Sequence, residues 1–272
     1  MKIKNKTALV LGSTKGIGKA ISKTLCKEGA NLVLIKYDTK DTYEKNDIDF
    51  IKNFKNHMII KADLRKIKDI KKIYFIIKKK YKSLDILINN IERGGWPCVH
   101  GEYTEMQWNI EIETTLKAKQ FIFSFLFPLL KKSKESVVIN ISSIAGIVGR
   151  SGIASLVFND GYSAANRAIS SFTETWARMG APNIRVNEIM LGFFDTRHGK
   201  KTRGWTKVLK NKEKKDLINK ILLKRTGNKK DVIKACLFLI KDASYITGSV
   251  LRVDGGYVLG KDGFLPMPKG II

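Results

Sequence analysis

Short apolar runs of strand length alternate with longer stretches of helical spacing from one end of this chain to the other. That order leaves few folds open. A strand, a helix and a second strand close as a βαβ unit, so the pattern predicts helices on both faces of a parallel sheet. Strands are expected at 7–11, 31–35, 58–62, 85–89, 137–142, 184–189 and 249–253. Helices are expected at 16–28, 67–81, 104–131, 161–179, 215–223 and 229–240, with a shorter one near 50–54. Pro128 should bend or end the 104–131 helix, because proline lacks the N–H that an interior turn needs. No linker and no internal repeat divides the 272 residues. The expected architecture is one α/β domain, a doubly wound parallel sheet.

Composition removes the other classes. At 43% hydrophobic and 28% charged the chain has ordinary globular usage, which argues against disorder. Its longest nearly apolar run, Phe121 to Leu130, has half the length that a membrane-spanning helix needs. Lys2, Lys4 and Lys6 precede only a short apolar segment, so no signal peptide is expected. Cys26, Cys98 and Cys236 are odd in number and form no CxxC pair, which favours a reduced, cytoplasmic chain. His57, His100 and His198 are scattered and suggest no metal site.

The charge is unusual. Fifty-one basic residues against 25 acidic ones give +26, where about 2–8 is usual for a small domain. A polyanion partner is one reading. Yet 41 of the basic residues are Lys and only ten are Arg, whereas a nucleic-acid surface recruits Arg for bidentate contacts. Adaptation to heat would pair Lys with Glu and shed Asn; here Glu occurs 11 times and Asn 16. Lys, Asn and Ile rising together match AT-rich coding, so nucleic acid is not the expected partner.

The segment Gly12-Ser13-Thr14-Lys15-Gly16-Ile17-Gly18 follows the first strand and opens a helix. Gly12 permits the tight turn. Gly16 and Gly18 let backbone approach a pyrophosphate, whose charge rests on free N–H groups at the helix N-terminus. A plain strand–helix turn has the same look, so the glycines alone do not decide.

Further segments match in order along the chain: Asp63-Leu64 after the third strand, Asn89-Asn90 after the fourth, and Ser142-Ser143 closing the fifth. Tyr162-Ser-Ala-Ala opens a helix, Arg185-Val-Asn187 leads through Gly192 to Thr196, and Thr247-Gly-Ser-Val-Leu-Arg-Val-Asp254-Gly-Gly-Tyr257 ends the series. Together with the GxxxGxG spacing they resemble the short-chain dehydrogenase/reductase family over residues 7–257. The resemblance implies a Rossmann-like fold and an NAD(P)-dependent oxidoreductase, moving a hydride between a nicotinamide cofactor and a small carbonyl or secondary alcohol. It implies Tyr162 as acid/base and Ser143 as hydrogen-bond donor to the substrate oxygen. Gly12, Ser13, Thr14, Lys15, Gly16, Ile17, Gly18, Asp63, Leu64, Asn90, Gly192 and Thr196 are then the expected cofactor contacts. A homodimer or homotetramer through the 104–131 and 161–179 helices is implied as well.

Three departures stand out. The family carries a Lys four residues after its Tyr, which holds ribose and supplies charge; this chain has Asn166, an amide that can bond ribose but carries no charge. Arg167 lies about 100° further around the helix and does not replace it. Thr115 stands at the place of the family's catalytic Asn, and Ile91-Glu92 where Ala-Gly is usual. Residues 156–161 read as an insertion between Ser143 and Tyr162. These losses leave a rival reading open: a nucleotide-binding, regulatory or scaffold protein that turns over poorly.

Charge also bears on the cofactor. NAD-selective relatives place an acid near the end of the second strand, and here that place is Lys36, with Lys15 nearby in the loop. NADP is therefore expected over NAD, although Asp38 lies two residues beyond. Residues 91–103 and 193–225 are expected to shape the substrate site, the 93–100 loop either lining it or rerouting the chain around Glu92, and 258–272 form a C-terminal extension.

Overall fold

The computed structural model describes residues 1–37, 49–54, 56–92, 104–195 and 209–260. Asp38, Cys98, His100, Thr196, His198, the 93–100 loop, and parts of the expected substrate region and terminal extension lie outside these residues.

Seven strands form one parallel sheet: β1 (Thr7–Val10), β2 (Asn31–Lys36), β3 (His57–Lys61), β4 (Ile86–Asn89), β5 (Ser136–Ser143), β6 (Ile184–Leu191) and β7 (Val250–Val253). Their spatial order is β3-β2-β1-β4-β5-β6-β7. The chain moves outward from β1 to β3, then returns to start again at β4 on the other side of β1. That reversal makes a crevice at the carboxyl ends of β1 and β4, where doubly wound sheets bind ligands. The expected single-domain α/β architecture is the one observed.

Alternate residues of each strand point to opposite faces. Leu9, Leu11, Val33 and Ile35 join a core with α2 (Ile67–Tyr81), α4 (Ala118–Leu130) and Trp176 of α6 (Asp160–Gly180). Ala8, Val10, Leu32 and Leu34 join the opposite core, against Ile21 and Leu25 of α1 (Gly16–Lys27) and against Val232, Cys236 and Leu239 of the last helix. With both faces covered, the central strands are apolar without alternation, as parallel sheets require.

The expected 104–131 helix is a continuous helical path in three parts: α3 (Glu105–Glu111), a π-helical segment at Ile112–Lys117, and α4. Pro128 sits in the final turn of α4, where it cannot donate to the carbonyl four residues back, and the helix ends two residues later at Leu130. After β5 come a short helix, α5 (Ala145–Val148), and a 3-10 turn at Gly152–Leu156. The 215–223 helix begins earlier than expected, as α7 (Asn211–Lys220). Glu213 closes its N-terminus by accepting from the Lys210 N–H at 2.6 Å. The last helix, α8, spans Lys229–Lys241. No helix among the described residues is long and apolar enough to cross a membrane.

Candidate functional site

The turn after β1 is built on close backbone approach. Gly12 has φ +61°, and a Cβ there would lie 2.3 Å from the Asn90 carbonyl oxygen. A Cβ on Gly18 would lie 2.1 Å from the Gly12 oxygen. Glycine is thus needed to hold the turn, α1 and the end of β4 together. Asn90 Nδ2 donates to the Gly12 oxygen at 3.4 Å. Ser13 is fully buried and donates its hydroxyl to the Ile35 carbonyl at 3.4 Å, which ties the turn to β2. Gly16 also has positive φ. Helix α1 starts at Gly16, after Lys15, without a side-chain cap and without an acid in its first turn. Its N-terminal dipole is therefore open to an anion. Thr14 and Ile17 are half-buried beside it. This cradle suits the pyrophosphate of a dinucleotide.

At the ends of β2 and β3, cations gather. Lys36 lies beside Lys61 in the strand register, and Arg65 donates to the Tyr37 hydroxyl at 2.8 Å. Arg65 also holds Asp63 through three hydrogen bonds of 2.9–3.1 Å, two from its guanidinium and one from its backbone N–H. Burial pushes the Asp63 carboxyl up, but the bonds and charge of Arg65 outweigh it and hold the group below its usual range. The carboxylate of Asp63, one of the expected cofactor contacts, is thus paired with Arg65. Leu64 beside it is buried. A cavity of about 470 Å³ lies between Arg65 and the α3 residues Glu105, Met106, Asn109 and Ile110, with Glu113 beyond.

Ser143 closes β5, and Tyr162 stands in the first turn of α6. Ser143 Oγ accepts from the Ala145 N–H at 3.1 Å, and Ser143 pulls the pKa of the neighbouring Tyr162 phenol down. The two residues expected to carry the chemistry are therefore adjacent. Tyr162 Oη in turn donates to Glu92 Oε1 at 2.9 Å. Burial and the charge of Glu92 push the phenol well above its ordinary 10; Ser143 opposes this, and the Glu92 bond and Glu111 add to it. Among the described residues, the surroundings of Tyr162 are anionic where the family resemblance implies a cation.

The 156–161 insertion takes part directly. Asn159 caps α6 by accepting from the Tyr162 N–H at 2.8 Å, and its Nδ2 donates to Glu111 Oε1 at 3.0 Å. Phe158 stacks on Phe193 with ring centroids 5.3 Å apart, and Phe193 meets Tyr257 edge-on. Tyr162 lies against this aromatic cluster, with Leu209, Leu217 and Ile221 behind it.

Other expected residues are placed differently. Asn166 is fully buried, its Nδ2 donates to the Tyr162 carbonyl at 2.9 Å, and its Oδ1 has no hydrogen-bond partner. As packed it has no exposed surface to offer a ribose. Thr115 lies in the π-helical segment, fully buried, with an unpartnered hydroxyl. Gly192 serves a close approach, since a Cβ would lie 2.6 Å from Asp254 Cα.

Two residues without any sequence signal complete the site. Lys119 on α4 is fully buried and donates to the Ile141 carbonyl at 2.7 Å. Burial lowers its pKa to about 8, against the pull of Glu92 and Glu188. Glu188 of β6, also fully buried, accepts from the hydroxyls of Ser142 and Thr173. It stands in the register row Asn89–Asn140–Glu188, in which Asn89 Nδ2 donates to Asn140 and Asn140 Nδ2 to Thr173. Burial raises the Glu188 carboxyl against those hydroxyls and Lys119.

Known proteins resemble the chain over most of its length. A family model described as enoyl-(acyl carrier protein) reductase matches residues 12–258. The chain is 28% identical over 265 residues to the 3-oxoacyl-(acyl-carrier-protein) reductase of Thermotoga maritima, covering 95% of this chain and 100% of that protein. Against the protein of the same name from Chlamydia trachomatis, identity is 30% over 267 residues, with coverages of 93% and 97%. The solved NADPH-dependent 3-quinuclidinone reductase of Rhodotorula rubra superposes with a TM-score of 0.79 at 23% identity, over 95% of this chain and 93% of that one. At that identity the superposition shows the fold alone. The rival reading of a protein that no longer turns over draws no support from relatives named as reductases.

Proposed function

This chain belongs to the short-chain dehydrogenase/reductase family, and from that premise we propose that it transfers a hydride between NADP(H) and a carbonyl or secondary alcohol. The observation that carries the reading is that the end of β5 and the first turn of α6 put Ser143 beside the Tyr162 phenol. A substrate oxygen placed between them meets two hydroxyl donors. A bound nicotinamide cofactor supplies or accepts the hydride. Tyr162 gives the proton to the carbonyl oxygen in reduction, and Ser143 orients that oxygen. Gly12, Gly16 and Gly18 with the open N-terminus of α1 hold the pyrophosphate.

The preference for NADP rests on Lys36, Lys61 and Arg65 at the ends of β2 and β3, where a 2′-phosphate gains charge-assisted bonds. The names of the curated relatives make a 3-oxoacyl thioester the first carbonyl to try. The half-buried Phe121, Phe125 and Phe127 of α4 support assembly into a homo-oligomer. Light scattering at micromolar concentration tests this, and a monomer refutes it.

The central test is consumption of NADPH against a panel of 3-oxoacyl thioesters, ketones and quinones. Tyr162→Phe should remove turnover almost entirely while leaving cofactor affinity in place. Full activity in that variant would show that another group is the acid.

A further inference from the structure

We infer that Glu92 relays the proton that Tyr162 exchanges with substrate, with the buried ammonium of Lys119 as its counter-charge; this deepens the hydride-transfer reading and rests on it.

The geometry comes first. Tyr162 Oη already donates to Glu92 Oε1 at 2.9 Å, within transfer distance. Among the described residues, the charged groups facing Tyr162 are Glu92, after β4, and Glu111, on α3; both are acids, and position 166 carries no cation. A free phenolate between two carboxylates is a poor resting state. A relay avoids it, because the phenol loses one proton as it gains another. The charged groups facing Lys119 are Glu92 and Glu188. Burying an ammonium costs several kcal/mol unless opposite charge and hydrogen bonds offset it. Glu188 is tied to Ser142 and Thr173 and Glu92 to Tyr162, and the charge of each acid favours the Lys119 ammonium against burial.

The step balances. In oxidation the alcohol O–H bond breaks and its proton joins Tyr162 Oη, while the phenol's own proton passes to Glu92 Oε1. The hydride leaves the carbinol carbon with its electron pair for the oxidised nicotinamide cofactor. Reduction is the reverse, ending with Glu92 ionised and Tyr162 protonated.

Two measurements test it. In cofactor-free protein the Lys119 side-chain carbon signal, identified by its loss in Lys119→Met, should titrate near 8. In Glu92→Gln that midpoint should fall by about half a unit or more, since one of its two anions is gone. An unmoved midpoint overturns the pairing. With a working substrate, the oxidation rate of Glu92→Gln should climb roughly tenfold per pH unit where the wild type is level. Glu92→Asp, which keeps the carboxylate, should restore the level profile. A Glu92→Gln profile that matches the wild type overturns the relay. No wild-type turnover with any substrate overturns the hydride-transfer reading and the relay with it, while a coupled Lys119 midpoint would still stand.

Discussion

The side chain of Asn159 accepts the backbone N–H of Tyr162 at 2.8 Å, so the residue that starts α6 also fixes the height of the phenol above the sheet. Asn159 belongs to the 156–161 insertion and reaches the buried Glu111 with its amide. A segment that looks like a tolerated bulge is therefore part of the site's scaffold.

Asn159→Ala should cost about 1–2 kcal/mol in stability from the lost cap. It also takes a donor from the buried Glu111, and a second loss of about 1–3 kcal/mol follows. The chemical step should slow more than cofactor binding weakens. Urea unfolding with steady-state kinetics checks both, and a neutral variant would show that the insertion is only a connection.

Gly18→Ala should weaken cofactor binding at least tenfold, because its Cβ meets the Gly12 oxygen at 2.1 Å and backbone must shift. Overpacking of this kind costs about 1–3 kcal/mol. Fluorescence titration of the reduced cofactor measures the loss. Unchanged affinity would mean that the glycine turn does not hold the dinucleotide.

NADPH should bind more tightly than NADH, and Lys36→Asp should reverse the order. The charge-assisted contact contributes roughly 1–3 kcal/mol and should weaken as salt rises. Equal affinities in the wild type would refute it.

The sheet was legible because its evidence is distributed: each strand is a short apolar run, and each helix shows apolar residues at helical spacing, as with Ile70, Ile73 and Ile77 of α2. Residues 67–81 form a helix over the expected span. Gly12, Gly18, Ser143 and Tyr162 were legible because turn geometry and chemistry restrict the residue types. Lys119 and Glu188 were not: one lysine among 41 carries no signal, and α4 and β6 meet only through tertiary packing. The packing of Asn166 was not legible either, for a related reason. Sequence spacing put it on the ribose side of α6, but the structure buries its amide and turns Nδ2 back to its own helix.

Lys119 should leave a signature in the pH dependence of stability. Its pKa falls from an ordinary 10.5 to about 8 in the folded chain. Below about 8 the ammonium is present in both states and its burial cost is borne in full. Between about 8 and 10.5 the unfolded chain binds more protons than the folded one, so this group's contribution to stability rises with pH. The gap bounds the gain at about 3 kcal/mol. Cys26 and Cys236 act in the opposite sense, since burial raises their thiols to about 11 and 12 from 9.0, and stability from them is lost as pH rises past 9. Comparing wild type with Lys119→Met removes that shared background. Chemical denaturation from pH 7.5 to 10 should show the wild type gaining about 1–3 kcal/mol on the variant across the range. Parallel curves would mean that the lysine keeps its ordinary affinity for the proton.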